Sequence, residues 1–418
     1  MHKKWWKKAG TPLLLALSLG IVSQAGLWPD AVLRGYASQA APGSPVTEYT
    51  EEELSALKDN VLEYSEIPGL IEQYNITFQN QLESYYNNPG GGTGLTREQL
   101  LSLAAELRTE AETLSREAED MKDEIGKEEY QEYRDNIAAF KSYAKQLTDA
   151  AAGKTAAGAA AVRSLRLTRN EQTISAQEKM REVQGLSDQQ AVAEKKAEIA
   201  ELTYETAKRQ QELGIYAEED VLSAKEALDS ANAALAAAKA SLESKKQDLL
   251  VMLGWRYGAD PVIGRVPAPD PAALAAMNPE TDSAKAIENN TTLYTTRMTA
   301  SKSLGGADKK ARIVQDEENN VRNGLFQLYE DVEYKKAAYE AAGLQFQAAT
   351  ADKESADRKM ELGMISRLEY LTAEASFLSA QASMDQAAVD LTAAIEAYQW
   401  AVKGMLDGVS SSMKMSAS

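Results

Sequence analysis

The chain of 418 residues contains no cysteine and a single histidine, His2. Without cysteine it can form no disulfide scaffold, thiol nucleophile or thiolate metal site. The lone histidine lies in a segment that we expect to be removed, so imidazole-based triads and histidine metal sites are excluded as well. Carboxylates, lysines and tyrosines remain, but no arrangement of them points to catalysis. We therefore expect a protein that is not an enzyme and has no catalytic residue, no metal site and no cofactor.

Proline is missing from two long stretches, between Pro89 and Pro261 and after Pro279. Both stretches are rich in alanine, leucine, glutamate, lysine and glutamine, which are strong helix formers, and both lack the alternating patterns that indicate strands. A proline inside a helix removes a hydrogen bond and clashes with the preceding turn. The sequence therefore predicts an all-α fold of long helices, with the proline-rich residues 255–280 as an extended connector.

Basic residues are also in deficit, with 45 lysines and arginines against 63 acidic residues and a net charge of −18. A nucleic-acid binder would carry a basic patch, so we expect no nucleic-acid partner. Long apolar runs are absent too: the run Leu13–Val22 is about half of the roughly 20 residues that cross a bilayer. Four lysines precede this run and small residues follow it, which is typical of a secretory signal peptide. We expect residues 1–40 to be a signal peptide and leader, and the mature protein to be extracytoplasmic, in the periplasmic or cell-wall space of the envelope.

The two proline-free stretches repeat each other at an offset of 149 residues, which places Glu212-Leu213-Gly214 on Glu361-Leu362-Gly363. After each of these segments, a large apolar residue recurs every seven positions with an alanine between successive ones. The large residues are Leu228, Leu235, Leu242 and Leu249 in the first copy, and Phe377, Met384, Leu391 and Tyr398 in the second. A seven-residue repeat of this kind is the seam of a coiled coil.

Each copy has a glycine at the point where one helical pattern stops and the next begins, Gly214 in the first and Gly363 in the second. Glycine readily takes the left-handed conformation that ends a helix. Because the next helix follows within a few residues, we predict a long antiparallel helical hairpin in each half. We name the segments Leu213-Gly214 and Leu362-Gly363 the Leu-Gly turns.

These patterns predict an all-α chain of two tandem repeats, each a coiled-coil hairpin. The first repeat spans 41–254 and contains an additional charged helical segment at about 97–150. Thr96 and Gln99 form a capping pair that indicates where this segment begins. The connector at 255–280 and the second repeat at 281–406 follow. A serine-rich stretch at 407–418 is predicted to be a disordered tail.

At this point the sequence resembles the TolC-type outer-membrane efflux proteins, which contain two copies of such a hairpin. The matching pieces are the two Glu-Leu-Gly segments, each followed by an acidic residue and a leucine-alanine pattern. The Asn-Pro-x-Leu pattern of that family's short first helix is echoed by Ile67–Leu70 and by Asn290–Leu293. Together the matching segments cover most of residues 50–405.

The resemblance implies a homotrimer whose hairpins form a hollow cylinder. It also implies that the Leu-Gly turns dock onto a membrane-fusion adaptor that works with an inner-membrane transporter. Acidic residues just beyond the turns ring the channel entrance in that family, and Asp220 and Glu369 match this location, each six residues after its glycine. The alternative is that both are first-turn acids that complement the helix dipole.

The sequence departs from the family where that family inserts two membrane strands in each half. A membrane strand needs roughly 9–11 residues of alternating polarity, and neither Asn87–Gly94 nor Ser303–Ala307 has room for a pair. We therefore expect the helical part of the family without its transmembrane β-barrel. The function that follows is a conduit or docking component of an export or efflux system. The alternative is a structural coiled-coil scaffold of the envelope with no transport role.

Overall fold

The computed structural model describes residues 49–57, 59–89, 95–122 and 125–406. The predicted signal peptide and leader, the glycine run at 90–94 and the predicted tail at 407–418 lie outside these ranges. Within them the chain is almost entirely helical, as the sequence predicts. No helix of this part combines the length and the apolar character that a bilayer crossing requires.

Twelve α-helices and two short strands make up the described residues. The first half holds α1 (Glu51–Ala56), β1 (Val61–Leu62), α2 (Ile67–Tyr74), α3 (Ile76–Asn87), α4 (Arg97–Asp120), α5 (Lys127–Ala151), α6 (Ala156–Glu212) and α7 (Glu218–Met252). The second half holds β2 (Val262–Ile263), α8 (Pro271–Ala276), α9 (Pro279–Asn289), α10 (Thr291–Met298), α11 (Ala307–Glu361) and α12 (Arg367–Val402). Two 3₁₀ turns, Tyr64–Glu66 and Ser301–Leu304, complete the described elements.

Four long helices form the body of the molecule. Helices α6 and α11 have 57 and 55 residues, and each is more than ~80 Å long at 1.5 Å per residue. Helices α7 and α12 return antiparallel to them with 35 and 36 residues. The lengths match between the two halves, which is how the internal repeat of the sequence appears in the structure. We call the end with the Leu-Gly turns the tips and the opposite end the base.

The predicted heptad seam faces the partner helix in each hairpin. Along the tip-side half of α7 the less exposed positions are Val221, Ala224, Leu228, Ala231, Leu235, Ala238 and Leu242, while the residues between them are exposed. In the second copy, the rings of Phe346 on α11 and Phe377 on α12 are 5.4 Å apart. The coiled-coil prediction is therefore confirmed.

The long helices lie side by side in the order α7, α6, α12, α11, because α6 packs against both α7 and α12, and α12 packs against both α6 and α11. Within the described residues, no comparable packing joins α7 to α11. The four helices therefore form an open layer with α7 and α11 at its edges. Helix α12 is accordingly covered on two sides, whereas the outer face of α7 is open.

The hydrophobic core lies toward the base, in one cluster for each half. The first cluster packs α2 and α3 against the base-side part of α6 and the end of α7, with Leu70, Phe78, Met180 and Leu249 at its centre. The second packs α9 against α11 and the end of α12, with Leu325, Ile395 and Tyr398 fully or nearly fully covered. Toward the tips fewer side chains are buried, and the seams and ion pairs between helices hold the layer together.

A partly buried charged group connects the two halves across this core. The Arg181 guanidinium on α6 lies 2.7 Å from the Glu396 carboxylate on α12. The Tyr64 hydroxyl donates to the same carboxylate at 2.6 Å and accepts from Arg181 at 2.8 Å. Burial raises the pKa of Glu396, and Arg181 opposes this rise.

The short helices at the base are repeated too, but with a different pairing from the one the sequence suggested. Asn75 caps α3 by accepting from the Phe78 amide at 3.0 Å, and Asn290 caps α10 by accepting from the Leu293 amide at 2.8 Å. The counterpart of Asn290–Leu293 is thus the segment starting at Asn75, and pairing it with Ile67–Leu70 was wrong. Ile67–Leu70 instead begins α2, the helix before the cap.

The additional segment of the first half is a helical hairpin, α4 and α5, which we call the insert hairpin. The predicted capping pair is confirmed: Thr96 accepts from the Gln99 amide at 3.2 Å, and the Gln99 side chain accepts from the Thr96 amide at 2.9 Å. The less exposed residues of α4 and α5 follow alternating three- and four-residue spacing. They include Leu100, Ala104, Leu107, Ala111, Leu114 and Ala118 on α4, and Tyr130, Tyr133, Ile137, Phe140, Ala144 and Leu147 on α5. The insert hairpin is therefore a small coiled coil of its own.

The connector between the halves is not uniformly extended. Residues Val262–Ile263 pair in parallel with Val61–Leu62, with Val61 opposite Val262. The short helix α8 follows, and Arg265 lies 2.8 Å from Asp385 on α12. These contacts attach the connector to the base-side half of the layer.

Candidate functional site: the hairpin tips

Each long hairpin turns through the same helix-ending motif. At the end of α6, the Gly214 amide donates to the Gln211 carbonyl and the Ile215 amide donates to the Gln210 carbonyl, both at 2.8 Å. At the end of α11, Gly363 and Met364 repeat these bonds with the carbonyls of residues 360 and 359. Gly214 has φ 72° and Gly363 has φ 65°, which is the left-handed conformation that the Schellman motif needs.

Large apolar side chains surround both glycines and are exposed. Leu213 and Leu362 expose 74% and 73% of their surface. Ile215 and Met364, which directly follow the glycines, are exposed to a similar degree, and Tyr216 is partly exposed. A group of exposed apolar side chains rimmed by polar residues is typical of an interaction site. The Leu-Gly turns thus present the same apolar tip twice.

The two acidic residues that match the entrance position both lie in the first turn of the returning helix. The Asp220 carboxylate accepts from the Ala217 amide at 2.9 Å, and the Glu369 carboxylate accepts from the Ser366 amide at 2.7 Å. The backbone hydrogen bond from Ser366, with a second bond from its hydroxyl, lowers the pKa of Glu369. Both acids are exposed and cap a helix. This position fits the alternative interpretation, in which each is a first-turn acid that complements the helix dipole.

An ion-pair network joins the two hairpins on the tip side of the layer. Lys195 on α6 lies 2.6 Å from Glu198 on the same helix and 3.2 Å from Glu374 on α12. Arg367, the first residue of α12, lies 3.1 Å from Glu198. The hydrogen bond with Glu198 raises the pKa of Lys195, and the bond with Lys195 lowers the pKa of Glu198. This network lies on the tip side of the core clusters and joins α6 to the start of α12.

A second group holds α12 against α11 near the tip of the second hairpin. Lys353 on α11 lies 2.5 Å from Asp357 and donates to the Tyr370 hydroxyl on α12 at 3.2 Å. The ammonium also lies 4.9 Å from the centre of the Tyr370 ring. The hydrogen bond with Asp357 raises the pKa of Lys353. These contacts join α11 to α12 near the turn at Leu362-Gly363.

The sequence located both Leu-Gly turns and both acids but did not identify the apolar residues beside the glycines. Ile215, Tyr216 and Met364 are exposed, as is Leu222 one turn into α7. Their signal in the sequence is the presence of large apolar residues within a short turn, where polar residues usually occur. What the tips offer chemically is an apolar contact surface that occurs twice in the chain.

No known protein-family model matches the sequence, and no curated protein matches it significantly. Solved structures do. CusC, described for conformational changes accompanying folding and transmembrane channel formation, is similar at a TM-score of 0.39 and 14% identity, over 78% of this chain and 97% of that one. The outer membrane protein VceC of Vibrio cholerae is similar at 0.39 and 16% identity, over 64% and 76%. The outer membrane channel CmeC of Campylobacter jejuni is similar at 0.36 and 15% identity, over 68% and 71%. These solved structures are TolC-family outer-membrane channels.

Proposed function

We propose that the chain is an extracytoplasmic helical protein of the TolC type that serves as a conduit or docking component in export or efflux. It would work with an inner-membrane transporter, which supplies the energy, and with a membrane-fusion adaptor. The observation that carries the proposal is the pair of identical Leu-Gly turns with exposed apolar side chains. In this role the protein is not an enzyme and contributes shape alone.

The tips suit the docking of a helical adaptor for physical reasons. An exposed leucine gains free energy when a partner covers it, at about 25 cal/mol for each Å² of apolar surface removed from water. A rigid surface loses little conformational entropy when it binds. The Schellman motif and the two ion-pair groups provide that rigidity. Two similar tips on one chain would bind two copies of one partner.

The open edges of the helical layer favour self-association. The outer face of α7 is dominated by small exposed residues, among them Ala227, Ala233, Ala234 and Ala237. The outer face of α11 exposes two large side chains, Tyr334 and Leu344. The small residues of α7 let a helix of a neighbouring copy approach closely. Because the two edges differ, their contact is heterologous and generates a closed ring when the rotation permits, and we propose a homotrimer.

The test is to compare cells that lack the gene, cells complemented with it, and cells complemented with the variant Leu213→Asp/Leu362→Asp. Both leucines are exposed, so this variant should retain its fold, with a change in unfolding free energy within about 0.5 kcal/mol for each site. The small molecules inside the cells and in the medium are profiled by untargeted mass spectrometry. We expect the deletion and the tip variant to retain the same compounds inside.

The matched control is Tyr257→Asp, because Tyr257 is also an exposed apolar side chain, with 84% of its surface accessible, but lies at the base. This variant should export normally. If the deletion leaves the profile unchanged, the transport role is wrong and the structural scaffold is the better account. If the deletion has an effect that the tip variant does not share, the docking role of the Leu-Gly turns is wrong.

A further inference from the structure

The insert hairpin is strongly acidic and, among the described residues, packs mainly within itself. Residues 95–151 contain eight basic and fourteen acidic side chains, a net charge of −6. Glu106, Glu110 and Glu117 are spaced by four and seven residues, so they lie on one face of α4, and all three are exposed. Within the described residues, α4 and α5 pack chiefly against each other.

Two segments at the base of the layer carry the opposite charge, although the chain as a whole is acidic. Residues 151–170 and 297–312 together contain nine basic side chains and one acidic one. Four of the nine are exposed and have no acidic partner within ion-pair distance among the described residues. These four, which we call the basic base, are Arg166, Lys302, Lys309 and Arg312.

Contacts between the two segments show that they lie together. The Arg163 guanidinium at the start of α6 stacks 4.4 Å from the centre of the Tyr294 ring on α10. Lys310 at the start of α11 donates to the backbone carbonyls of Arg297 and Thr299, both at 2.7 Å. The starts of α6 and α11 therefore meet through α10. The two basic segments are therefore neighbours at the base of the layer.

Side-chain contacts between and within its two helices hold the insert hairpin together. Arg108 on α4 donates to Thr148 on α5 at 2.7 Å, and Lys122 pairs with Glu119 at 2.8 Å. The acidic face of α4 and the basic base of the same chain are exposed, and the insert hairpin joins the layer at its base, directly before α6. Within one chain the acidic surface and the basic surface do not cover each other. Because their charges are opposite, the acidic surface of one copy is complementary to the basic surface of a second copy.

The helix order makes such a contact geometrically feasible in a ring. When α7 of a neighbour lies against α11, the neighbour's α6 is one helix further, about two helix spacings or ~20 Å from α11. The neighbour's insert hairpin leads directly into the start of that α6. Helix α4 has 24 residues and is ~36 Å long. The hairpin is long enough to reach the start of α11 on the adjacent copy.

We propose that the insert hairpin of one copy binds the basic base of the adjacent copy through its acidic face, and so joins the ring at the end opposite the tips. This inference rests on the ring in the proposed function. The contact is electrostatic, so it weakens as salt shortens the screening length from ~10 Å at 0.1 M to ~3 Å at 1 M. A second copy of this chain is the partner.

The absence of cysteine permits a direct test. Two full-length chains with different tags are co-expressed, one carrying Glu110→Cys and the other Arg312→Cys, and the purified protein is treated with a short bis-maleimide. We expect a cross-linked product that contains both tags, formed at low salt and lost at about 1 M salt. The matched control replaces Glu110→Cys by Glu219→Cys, an exposed acid at the tips, and should give no such product.

Charge reversal provides an independent measurement. The substitutions Glu106→Lys, Glu110→Lys and Glu117→Lys should lower the fraction of assembled protein in native mass spectrometry, and adding Arg166→Glu, Lys309→Glu and Arg312→Glu should restore it. All six residues are exposed or at the surface, so folding can be checked by circular dichroism. Reversal of the three acids without any loss of assembly would overturn the proposal.

The outcomes separate this proposal from the ring itself. If the protein assembles but gives no cross-linked product with both tags, the ring exists without the hairpin contact. This result overturns the proposed contact and leaves the ring standing. A protein that stays monomeric overturns both. Sedimentation of the protein with phosphatidylglycerol vesicles through the basic base, with no cross-linked product, would assign that surface to a membrane and would also overturn the proposal.

Discussion

The glycines at the helix ends allow a quantitative test of how the layer is held together. Gly214 and Gly254 end the consecutive helices α6 and α7, with φ angles of 72° and 90°. Around Gly214 there is no atom within 4 Å of the position that a Cβ would occupy. At Gly254 that position is 2.2 Å from the Tyr74 Cβ and 3.2 Å from the Tyr74 carbonyl oxygen. The two sites share a backbone conformation and differ in packing.

Substitution by alanine should therefore have unequal effects. At both sites an L-residue in the left-handed region costs roughly 1–2 kcal/mol. At Gly254 the methyl group must also push α2 away from the end of α7, and overpacking of a core typically costs a further 1–3 kcal/mol. We expect Gly214→Ala to lower the free energy of unfolding by about 1 kcal/mol and Gly254→Ala by about 2–5 kcal/mol.

The assay is urea unfolding followed by far-ultraviolet circular dichroism, with the free-energy change taken from the shift in midpoint at constant slope. The second half supplies a replicate: Gly363 is open, whereas a Cβ at Gly404 would lie 2.2 Å from the Asn289 carbonyl oxygen. Equal losses within each pair, or a larger loss at the open site, would refute the reasoning that the base is tightly packed and the tips are free.

Three further predictions concern the polar groups. Glu396→Ala leaves the Arg181 guanidinium in a largely covered site without its carboxylate, and should cost ~3 kcal/mol in urea unfolding; an unchanged midpoint would contradict this. Asn290→Ala removes the cap of α10 and should cost about 1 kcal/mol, whereas Asn290→Asp should retain most of the stability. The pKa of Glu198 is lowered in the fold from its ordinary value of 4.5. The stability that its carboxylate contributes to the fold is therefore fully present above that ordinary pKa, and it is lost as the pH falls through the lowered pKa. The thermal midpoint should accordingly fall on acidification, and Glu198→Gln should reduce this dependence; identical pH profiles would show that the network with Lys195 does not stabilise the fold.

The long hairpins could be predicted from the sequence because their pattern is local. A seven-residue repeat with alanine between the large residues specifies which face meets the partner helix. A glycine in mid-pattern specifies where the helix ends. The offset of 149 residues then brought Leu213 onto Leu362, and the structure gives both the same turn.

The short helices at the base were harder because their repeat is not collinear with that of the hairpins. Asn75 and Asn290 are 215 residues apart instead of 149, since the insert hairpin lies between α3 and α6 in the first half alone. A search at one offset misses this pair. The residues of Ile67–Leu70 resembled the expected pattern more closely, although they begin a different helix.

Two features of the candidate site depend on the three-dimensional arrangement and could not be read from the sequence. In the sequence, the exposed alanines of α7 look like any other helix-forming residues. The open edge of the layer becomes visible only in the structure, where α6 lies between α7 and α12. Similarly, a leucine such as Leu213 is expected to be buried. It is exposed because its turn lies beyond the last contact between neighbouring helices.

The oligomeric state tests the central claim most directly. The processed protein, purified from the cells that export it, is measured by native mass spectrometry over a range of concentrations. The account predicts a stable trimer, in which the α7 edge of each copy meets the α11 edge of the next. A monomer at every concentration would contradict it, because the two edges would then remain open and the hairpins could not enclose a channel.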